Sequence, residues 1–454
     1  MENKAVKIIE SKEFDSYWKS QSLQEEDLAT EAAVKEIIAA VRQEGDEAVR
    51  RYAARFDKAS PQQLEVPMAE VDKAYGLLCG REPELLKALE LAAEHIWRFS
   101  ERQRASFESF ELEMGKGLWT GQKIIAVDRA MVYAPGGRFP LISSLLMALL
   151  PPLSAGVDEV CIASPPTETG LPDWRILATI FVAQLAAKTP IPPAKLRVFA
   201  VGGAQAVAAF AFGTQSIPRV DVIAGPGNKY VATAKRLLYG QVGIDFVAGP
   251  SDILVVADGT ASAEWVAADM LAQAEHDPDA RARALVPDMA FAKKLTQAIE
   301  KQLATLPTAD IARASLDNGG LIVVYPNKNK KESIQEVLRI ANAIAPEHLE
   351  LQTAHNDAYV PFLSNYGSLF IGPLAAEVLG DYAAGINHTL PTSTTSRFTG
   401  GLSVRHFLKI VTTLRCTPGE TFEATRKASE VLAKAEGLEG HALSAGLRLG
   451  RRSS

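Results

Sequence analysis

The segment LRVFAVGGAQAVAAFAFGTQSIPRVDVIAGPGN occupies residues 196–228 and contains two short β-rich runs, each of which ends in a glycine corner. Residues 196–201 lead into Gly202-Gly203, and residues 220–224 lead into Gly225-Pro226-Gly227-Asn228. Helical sequence follows these corners, as in the strand-turn-helix units of parallel sheets. Such sheets bind ligands at the carboxyl ends of their strands, which is where these glycine corners lie.

The same alternation extends in both directions from this segment. Upstream runs at 130–133 and 157–162 end in Ala134-Pro135-Gly136-Gly137-Arg138 and in Ala-Ser-Pro-Pro, and a downstream run at 245–248 ends in Gly249-Pro250-Ser251. Beyond Ser251 the pattern predicts strands at 252–257, 283–286, 321–325 and 368–371, with helices at 262–275, 291–303 and 333–344.

Helical spacing dominates the amino-terminal region, with two helices between residues 26 and 56 that break at Gly45-Asp46, and another at 82–104. We therefore predict an α/β fold of two Rossmann-like, doubly wound domains with an N-terminal helical arm and a C-terminal helical tail. The predicted division is 1–25 for the arm, 26–132 with 252–395 for the first domain, 133–251 for the second, and 396–454 for a tail that reaches a partner subunit.

Composition narrows the function classes. The chain has 454 residues, a net charge of -6 and no long run of Lys or Arg, which argues against a nucleic-acid or anionic-membrane partner. Its three cysteines form no CxxC pair, which suits a reducing compartment. No stretch approaches the roughly 20 apolar residues of a membrane span. We expect a cytoplasmic protein that acts on small molecules.

A dinucleotide-binding role for the middle region is suggested but not settled by its glycines. Gly225 and Gly227 give the first half of GxGxxG, yet Tyr230 stands where the third glycine belongs. Tyr133, Gln205 and Asn228 can contact a ribose or a nicotinamide, and they can equally cap helices.

Glu347 and His348 are adjacent proton-transfer groups of different basicity, directly after Pro346. The proline is expected to end the preceding helix and to bias Ala345 toward extended geometry. A rigid acid-base pair is what proton abstraction requires. A solvated dipeptide at a helix-to-strand junction is the alternative.

Two further groups of polar residues stand out. Gln273 and His276 are three apart and share a helix face, so they can act as metal ligands, although a histidine at a helix end is also favoured by the helix dipole. The glycine-punctuated loop 380–393 brings together Asp381 and His388, in either a binding site or a surface turn.

Eight motifs carry a resemblance to a known family: VYAPGGR, VGGAQA, GPGN, AGPSD, QAEHD, IAPEHLE, GDYAAGINHTLPT and EGLEGH. Their order and spacing resemble those of the histidinol dehydrogenases over nearly the whole chain. The resemblance implies a cytoplasmic homodimer of histidine biosynthesis with shared active sites and one Zn²⁺ per subunit. It also implies oxidation of L-histidinol through L-histidinal to L-histidine by two successive hydride transfers to NAD⁺.

The resemblance also implies site residues. The catalytic acid-base pair would be Glu347 and His348. The zinc ligands would be Gln273, His276, Asp381 and, from the partner subunit, His441. Substrate contacts would come from Ser251, Gln273, His276, His348, Asp381, His388, Glu436 and His441. NAD⁺ contacts would come from Tyr133, Gln205 and Asn228.

Some departures from the family leave the substrate open. Leu141-Ile142-Ser143 replaces a Tyr-Pro-Ser segment, and the tail reads Glu-Gly-His at 439–441 instead of Ala-His. Enzymes that oxidise other alcohols, such as sulfopropanediol dehydrogenase, resemble this chain in several of the same segments. Oxidation of another polyol or amino alcohol is therefore the alternative. A non-catalytic zinc- or nucleotide-binding homologue is a third reading, which the intact Glu347-His348 pair disfavours.

Overall fold

The structure, a computed structural model, describes residues 6–20, 27–57, 59, 63–136, 140–187, 196–247, 249–326 and 330–448. The predicted N-terminal arm is thus described only from residue 6 to residue 20, and Gly137, Arg138 and Ala248 of the predicted corners lie outside the described residues.

The strands, in chain order, are β1 (Lys7–Glu10), β2 (Glu65–Val66), β3 (Phe110–Gly115), β4 (Leu118–Ala126), β5 (Arg129–Tyr133), β6 (Glu159–Ser164), β7 (Leu196–Ala200), β8 (Val222–Ala224), β9 (Gly243–Ile244), β10 (Asp252–Ala257), β11 (Arg281–Val286), β12 (Leu321–Val324), β13 (His348–Gln352), β14 (Ser368–Ile371) and β15 (Leu408–Cys416).

The α-helices are α1 (Phe14–Ser20), α2 (Leu28–Glu44), α3 (Asp46–Phe56), α4 (Met68–Arg81), α5 (Pro83–Arg104), α6 (Ile142–Ala155), α7 (Trp174–Ala186), α8 (Gly203–Phe212), α9 (Lys229–Leu238), α10 (Ala263–Ala274), α11 (Met289–Leu303), α12 (Ala309–Gly319), α13 (Lys330–Ile344), α14 (Glu377–Tyr382), α15 (Glu420–Ala435) and α16 (Glu439–Gly446). Short 3-10 helices occur at Ser11–Glu13, Asn356–Ala358, Val360–Phe362, Thr395–Arg397 and Val404–Phe407.

Two six-stranded sheets confirm the predicted α/β fold. The first has the order β1-β12-β11-β10-β13-β14, and its neighbouring strands are all parallel. The second has the order β2-β7-β6-β5-β8-β9 and is parallel except for its edge strand β2. A third, antiparallel sheet has the order β15-β4-β3.

Strand β10 shows why the first sheet forms. All six of its residues are buried, and they are apolar after Asp252. Successive side chains point to opposite faces, so Ile253 and Val255 join the hydrophobic core on one side of the sheet, while Leu254 and Val256 join the core on the other. A strand that is apolar on both faces requires helices on both, as in doubly wound folds.

The N-terminal helices pack against the second sheet, which differs from the predicted division that placed residues 26–132 in the first domain. Val34 and Ile37 of α2 lie in one core with Phe210 of α8, and Ile96 of α5 lies in another with Leu149 of α6. Apolar spacing predicts that a helix has a buried face, but it does not say which sheet that face covers. The arm also differs from its prediction, because β1 is an edge strand of the first sheet.

Of the strand predicted at 245–248, the described residues 245–247 are not in a strand. The strand there is β9, which ends at Ile244. The Asp245 carboxylate instead accepts N–H groups of Gly225 (2.9 Å) and Phe246 (2.7 Å) and forms a buried ion pair with Lys235. A side chain that binds the backbone of the next residue favours a turn over a sheet ladder.

The tail combines a strand with two helices. Strand β15 pairs with β4 over its whole length, and α15 packs on α16. Within the described parts of the chain, no helix is both long and apolar enough to cross a membrane.

Ala345 has a backbone that the sequence did not predict. Helix α13 ends at Ile344, as expected from Pro346, but the predicted extended geometry at Ala345 is wrong because its φ is 50°. Its N–H donates to the Ala341 carbonyl (2.9 Å), and its carbonyl accepts the Ser396 hydroxyl (2.8 Å). These bonds hold a left-handed conformation that costs an L-residue about 1–2 kcal/mol.

We predict that Ala345→Gly raises the free energy of unfolding by about 0.5–1 kcal/mol in urea denaturation. Glycine adopts a positive φ without the steric penalty of an L-residue, which stabilises the folded state. It also increases the entropy of the unfolded chain, which offsets only part of that stabilisation. The matched control is Ala343→Gly within α13, which should lower the same quantity by about 1 kcal/mol. Equal losses in both variants would contradict a strained Ala345.

Candidate active site

The largest concentration of predicted site residues lines a cavity of about 250 Å³ between the two sheets. Ser251 and Glu347 stand just before β10 and β13, at the amino edge of the first sheet. Pro226 and Gly227 follow β8, at the carboxyl edge of the second sheet. The predicted residues brought together here are Ser251, Gln273, His276, Glu347, His348, Asp381 and His388.

Glu347 is fixed by reciprocal bonds with Asp252. The Asp252 N–H donates to Glu347 Oε2 (3.1 Å), and the Glu347 N–H donates to Asp252 Oδ1 (2.8 Å). Arg283 donates to the other Asp252 oxygen (2.9 Å). Burial raises the pKa of Glu347 to about 8, despite the opposing effect of His348. A carboxyl group of this kind can exchange a proton near neutral pH.

His348 is 3% exposed, and its two ring nitrogens face different groups. Nδ1 lies 3.0 Å from Gln273 Oε1 and 3.5 Å from Glu377 Oε1. Nε2 lies 3.6 Å from Asp381 Oδ1, and both of these buried atoms lack a hydrogen-bond partner among the described residues. Because Nδ1 faces two acceptors, it keeps a proton in both the neutral and the charged ring, and Nε2 is the nitrogen that gains or loses a proton.

Glu377 is a site residue that the sequence analysis missed. Its side chain is 2% exposed, and neither carboxylate oxygen has a hydrogen-bond partner in the described structure. Burial lowers the pKa of His348, but the surrounding carboxylates, with Glu377 first, outweigh it and raise the pKa to about 10. Its sequence signal is a single acidic residue among apolar neighbours in Ala-Ala-Glu-Val-Leu, which is too common to indicate a site.

His388, in the loop that follows α14, is bound at one ring nitrogen to Asp381 of α14 and at the other to Ser144. His388 Nδ1 lies 2.9 Å from the Asp381 carbonyl, and Nε2 lies 2.8 Å from the Ser144 hydroxyl. Burial lowers the pKa of His388. A neutral ring held at both nitrogens forms a fixed wall of the cavity and positions the backbone of Asp381.

The donors expected for zinc are partly assembled. Gln273, His276 and Asp381 line the cavity, and His276 Nδ1 lies 3.3 Å from the Gln273 carbonyl. A histidine that donates Nδ1–H to a carbonyl presents Nε2 to a metal. A second combination of donors also exists, because His348, Glu377 and Asp381 each offer an atom within 4.8 Å of the others. Both combinations contain Asp381.

The tail residues predicted for the site lie elsewhere. Glu436 and His441 are exposed and line a separate groove formed by α15 and α16. The fold of one chain therefore does not bring them together with Gln273, His276 and Asp381.

The three predicted NAD⁺ contacts share a second cavity of about 500 Å³, at the carboxyl edge of the second sheet. The Tyr133 hydroxyl accepts the Gly203 N–H (3.0 Å), and the buried Gln205 amide has no partner among the described residues. Asn228 caps α9 by accepting the N–H groups of Tyr230 and Val231 (3.0 and 3.1 Å). The capping alternative thus holds for Asn228, which nevertheless lines the cavity.

The loop from Gly225 to Asn228 connects the two cavities. Pro226 and Gly227 line the catalytic cavity, and Asn228 lines the second one. An elongated ligand can therefore lie in the second cavity and extend one end past this loop toward His348.

Comparison with known proteins agrees with these features. The histidinol dehydrogenase family model matches residues 20–449. The chain is 43% identical over 424 residues to a histidinol dehydrogenase of Thermus thermophilus, covering 93% of this chain and 95% of that protein. It is 42% identical over 418 residues to that of Acinetobacter baylyi, covering 91% and 92%.

A solved structure supports the same assignment. The crystal structure of histidinol dehydrogenase from Elizabethkingia anophelis superposes with a TM-score of 0.85 at 33% sequence identity, covering 95% of each chain. The chain therefore belongs to the histidinol dehydrogenase family.

Proposed function

We propose that this chain oxidises L-histidinol through L-histidinal to L-histidine in the cytoplasm, as a zinc-dependent homodimer that uses two NAD⁺. The observation that carries the proposal is the buried pair of Glu347 and His348, which shares one cavity with Gln273, His276 and Asp381. No other described cavity combines proton-transfer groups with metal donors in this way.

The residues present fit a zinc ion. Asp381 Oδ1 is buried, lies 3.6 Å from His348 Nε2 and has no hydrogen-bond partner among the described residues, and a carboxylate in that state is stabilised by a bound cation. We assign Gln273, His276, Asp381 and His441 of the partner subunit as the donors, since this set leaves His348 available as a base. When bound, Zn²⁺ orients the amino alcohol and polarises its oxygen.

His348 has the geometry of a general base. Its Nε2 faces the cavity without a partner in the described structure, so it can accept the proton of the substrate hydroxyl. The carboxylates raise the pKa of the ring, and a cation beside Asp381 would lower it again toward the range of a working base. NAD⁺ accepts a hydride in each of the two oxidations.

Glu347 suits the second oxidation, in which water must add to the aldehyde. Its backbone N–H and one carboxylate oxygen are engaged with Asp252, which prevents the side chain from turning away. Once ionised, the carboxylate can take a proton from water as the water attacks the aldehyde carbon. His348 can then accept the proton of a hydroxyl group on the resulting hydrate.

The lining charge favours histidinol over a sulfonated diol. Glu347 and Asp381 line the catalytic cavity, Glu377 lies behind His348, and none of the described lining residues is Lys or Arg. An ammonium and an imidazole are attracted by such an environment, whereas a sulfonate requires cationic donors.

A homodimer is supported by the apolar surface of the third sheet and the tail. Phe110 and Leu112 alternate on β3, so their side chains share one face, and they are 56% and 55% exposed; Met114, at the bulge that follows, is 55% exposed. Leu443 and Leu447 are 62% and 75% exposed on and after α16. Apolar patches of this extent mark protein interfaces, and a partner here would present its own Glu436 and His441.

The first prediction concerns reaction stoichiometry. The zinc-loaded protein should form two NADH per L-histidinol, as measured at 340 nm, and dihydroxypropanesulfonate should give none. His348→Ala should reduce kcat at least 100-fold, because no base then receives the hydroxyl proton. Turnover of the sulfonate alone would overturn the substrate assignment.

A second prediction separates the two metal-donor sets. His276→Ala should lose bound zinc in elemental analysis after dialysis, because it removes one of the assigned donors. Glu377→Gln, which has nearly the same shape, should retain zinc. Zinc loss in the Glu377 variant, with retention in the His276 variant, would assign the metal to His348, Glu377 and Asp381.

A third prediction tests the shared active site. His348→Ala and His441→Ala dimers should each be nearly inactive. After unfolding and refolding together, half the dimers are mixed and each mixed dimer has one intact site, so about one quarter of wild-type activity should return. No recovery, with mixed dimers verified by mass spectrometry, would show that His441 serves its own chain.

A further inference from the structure

Asp57 is an acidic residue that lines the second cavity. It follows α3 and lines the cavity wall, and its Oδ2 atom is buried without a hydrogen-bond partner in the described structure. Burial raises the pKa of this carboxyl group to about 6. Asp57 as a whole is half-buried, but a buried carboxylate oxygen without a hydrogen-bond partner destabilises the protein, so it is expected to serve a ligand that donates a hydrogen bond to it.

Asp57 lies on the wall that is built by α2 and α3. These helices line the second cavity with Ile37, Tyr52 and Phe56, and neither helix contributes a residue to the lining of the catalytic cavity. Asn228 lines the same cavity, on the loop that continues into the catalytic cavity. A dinucleotide whose nicotinamide reaches His348 past this loop therefore has its adenosine half toward the wall of α2 and α3.

The wall also offers a surface for a purine. Phe56 is 51% exposed although it is large and apolar, and Tyr230, which lines the same cavity, is 39% exposed. Aromatic rings exposed inside a cavity can stack on a base. Asp57 is adjacent to Phe56 in sequence, so a sugar attached to a base on this wall lies within reach of its carboxylate.

We propose that Asp57 binds the 2′- and 3′-hydroxyls of the adenosine ribose and thereby selects NAD⁺ over NADP⁺. A carboxylate can accept both hydroxyl protons of a vicinal diol, whereas a 2′-phosphate would place its negative charge against that of Asp57. The proposal rests on the NAD⁺ role assigned to this cavity and adds a specificity-determining residue to it.

Arg55 explains why a single substitution can shift this preference. It lines the same cavity, is exposed, and lies over the Phe56 ring with its guanidinium carbon 5.2 Å from the ring centroid. Of the charged side chains that line this cavity, removing the charge of Asp57 leaves Arg55 and Glu36, and only Arg55 is cationic. A guanidinium recognises phosphate through paired hydrogen bonds.

The test is calorimetric titration of the zinc-loaded protein with NAD⁺, NADP⁺ and 2′-deoxy-NAD⁺, in which the adenosine ribose lacks its 2′-hydroxyl. Wild type should bind 2′-deoxy-NAD⁺ about tenfold more weakly than NAD⁺. Asp57→Asn should bind NAD⁺ about 10- to 100-fold more weakly, since hydrogen bonds to a charged group are lost. The same variant should bind NAD⁺ and 2′-deoxy-NAD⁺ with equal affinity. Its ratio of NADP⁺ affinity to NAD⁺ affinity should be higher than that of wild type.

Glu36→Gln is the matched control, because it removes an exposed carboxylate from the same cavity and should change each affinity less than twofold. Equal binding of NAD⁺ and 2′-deoxy-NAD⁺ by wild type would overturn the proposal without any variant. Nicotinamide hypoxanthine dinucleotide lacks the adenine amino group. If wild type bound it much more weakly than NAD⁺ and Asp57→Asn did not, Asp57 would be placed at that amino group, which would also overturn the proposal. Undetectable NAD⁺ binding by wild type would instead remove the proposed function itself.

Discussion

The position of the catalytic pair depends on the carboxylate of Asp252. It accepts hydrogen bonds from the Glu347 backbone and from Arg283, and Asp252 is 8% exposed. Its strand, β10, lies between β11, which contains Arg283, and β13, which begins directly after Glu347. Because breaking a buried ion pair leaves an uncompensated charge at a cost of about 3–5 kcal/mol, the amino ends of three strands are held in one arrangement. Glu347 and His348 therefore enter the cavity from a rigid edge.

The catalytic cavity lies at the amino edge of the first sheet, whereas doubly wound sheets usually bind ligands at the carboxyl ends of their strands. The second sheet follows the rule, with its cavity at the carboxyl ends of β5 to β8. The first sheet uses its amino edge, where α10 and α14 end near Gln273 and Asp381. Helix C-termini carry partial negative charge, so this edge attracts a cation, whereas the carboxyl edge of the second sheet suits the phosphates of a dinucleotide. The two edges face each other with different electrostatic preferences.

Local pattern was enough to predict much of the fold. Strands β10 and β14 have the predicted bounds, because an apolar run flanked by turn residues is a local signal. The packing partners of α2 to α5 were not predictable, since an apolar stripe fits either sheet. The prediction for Ala345 was wrong because its hydrogen bonds with Ala341 and Ser396 override the backbone preference that the following proline imposes. Glu377 was missed because burial, and not residue type, distinguishes it.

The tail contains two residues that the proposed site requires but that the fold of one chain does not bring to its own cavity. Strand β15 is bound to β4 and α15 to α16, so Glu436 and His441 belong to a unit that is fixed away from their own cavity. In the proposed dimer, zinc is bound by donors from two chains, and metal binding then adds to the free energy of association. Assembly and site completion become one equilibrium, so that a separated subunit would lack both its apolar contacts and its fourth donor.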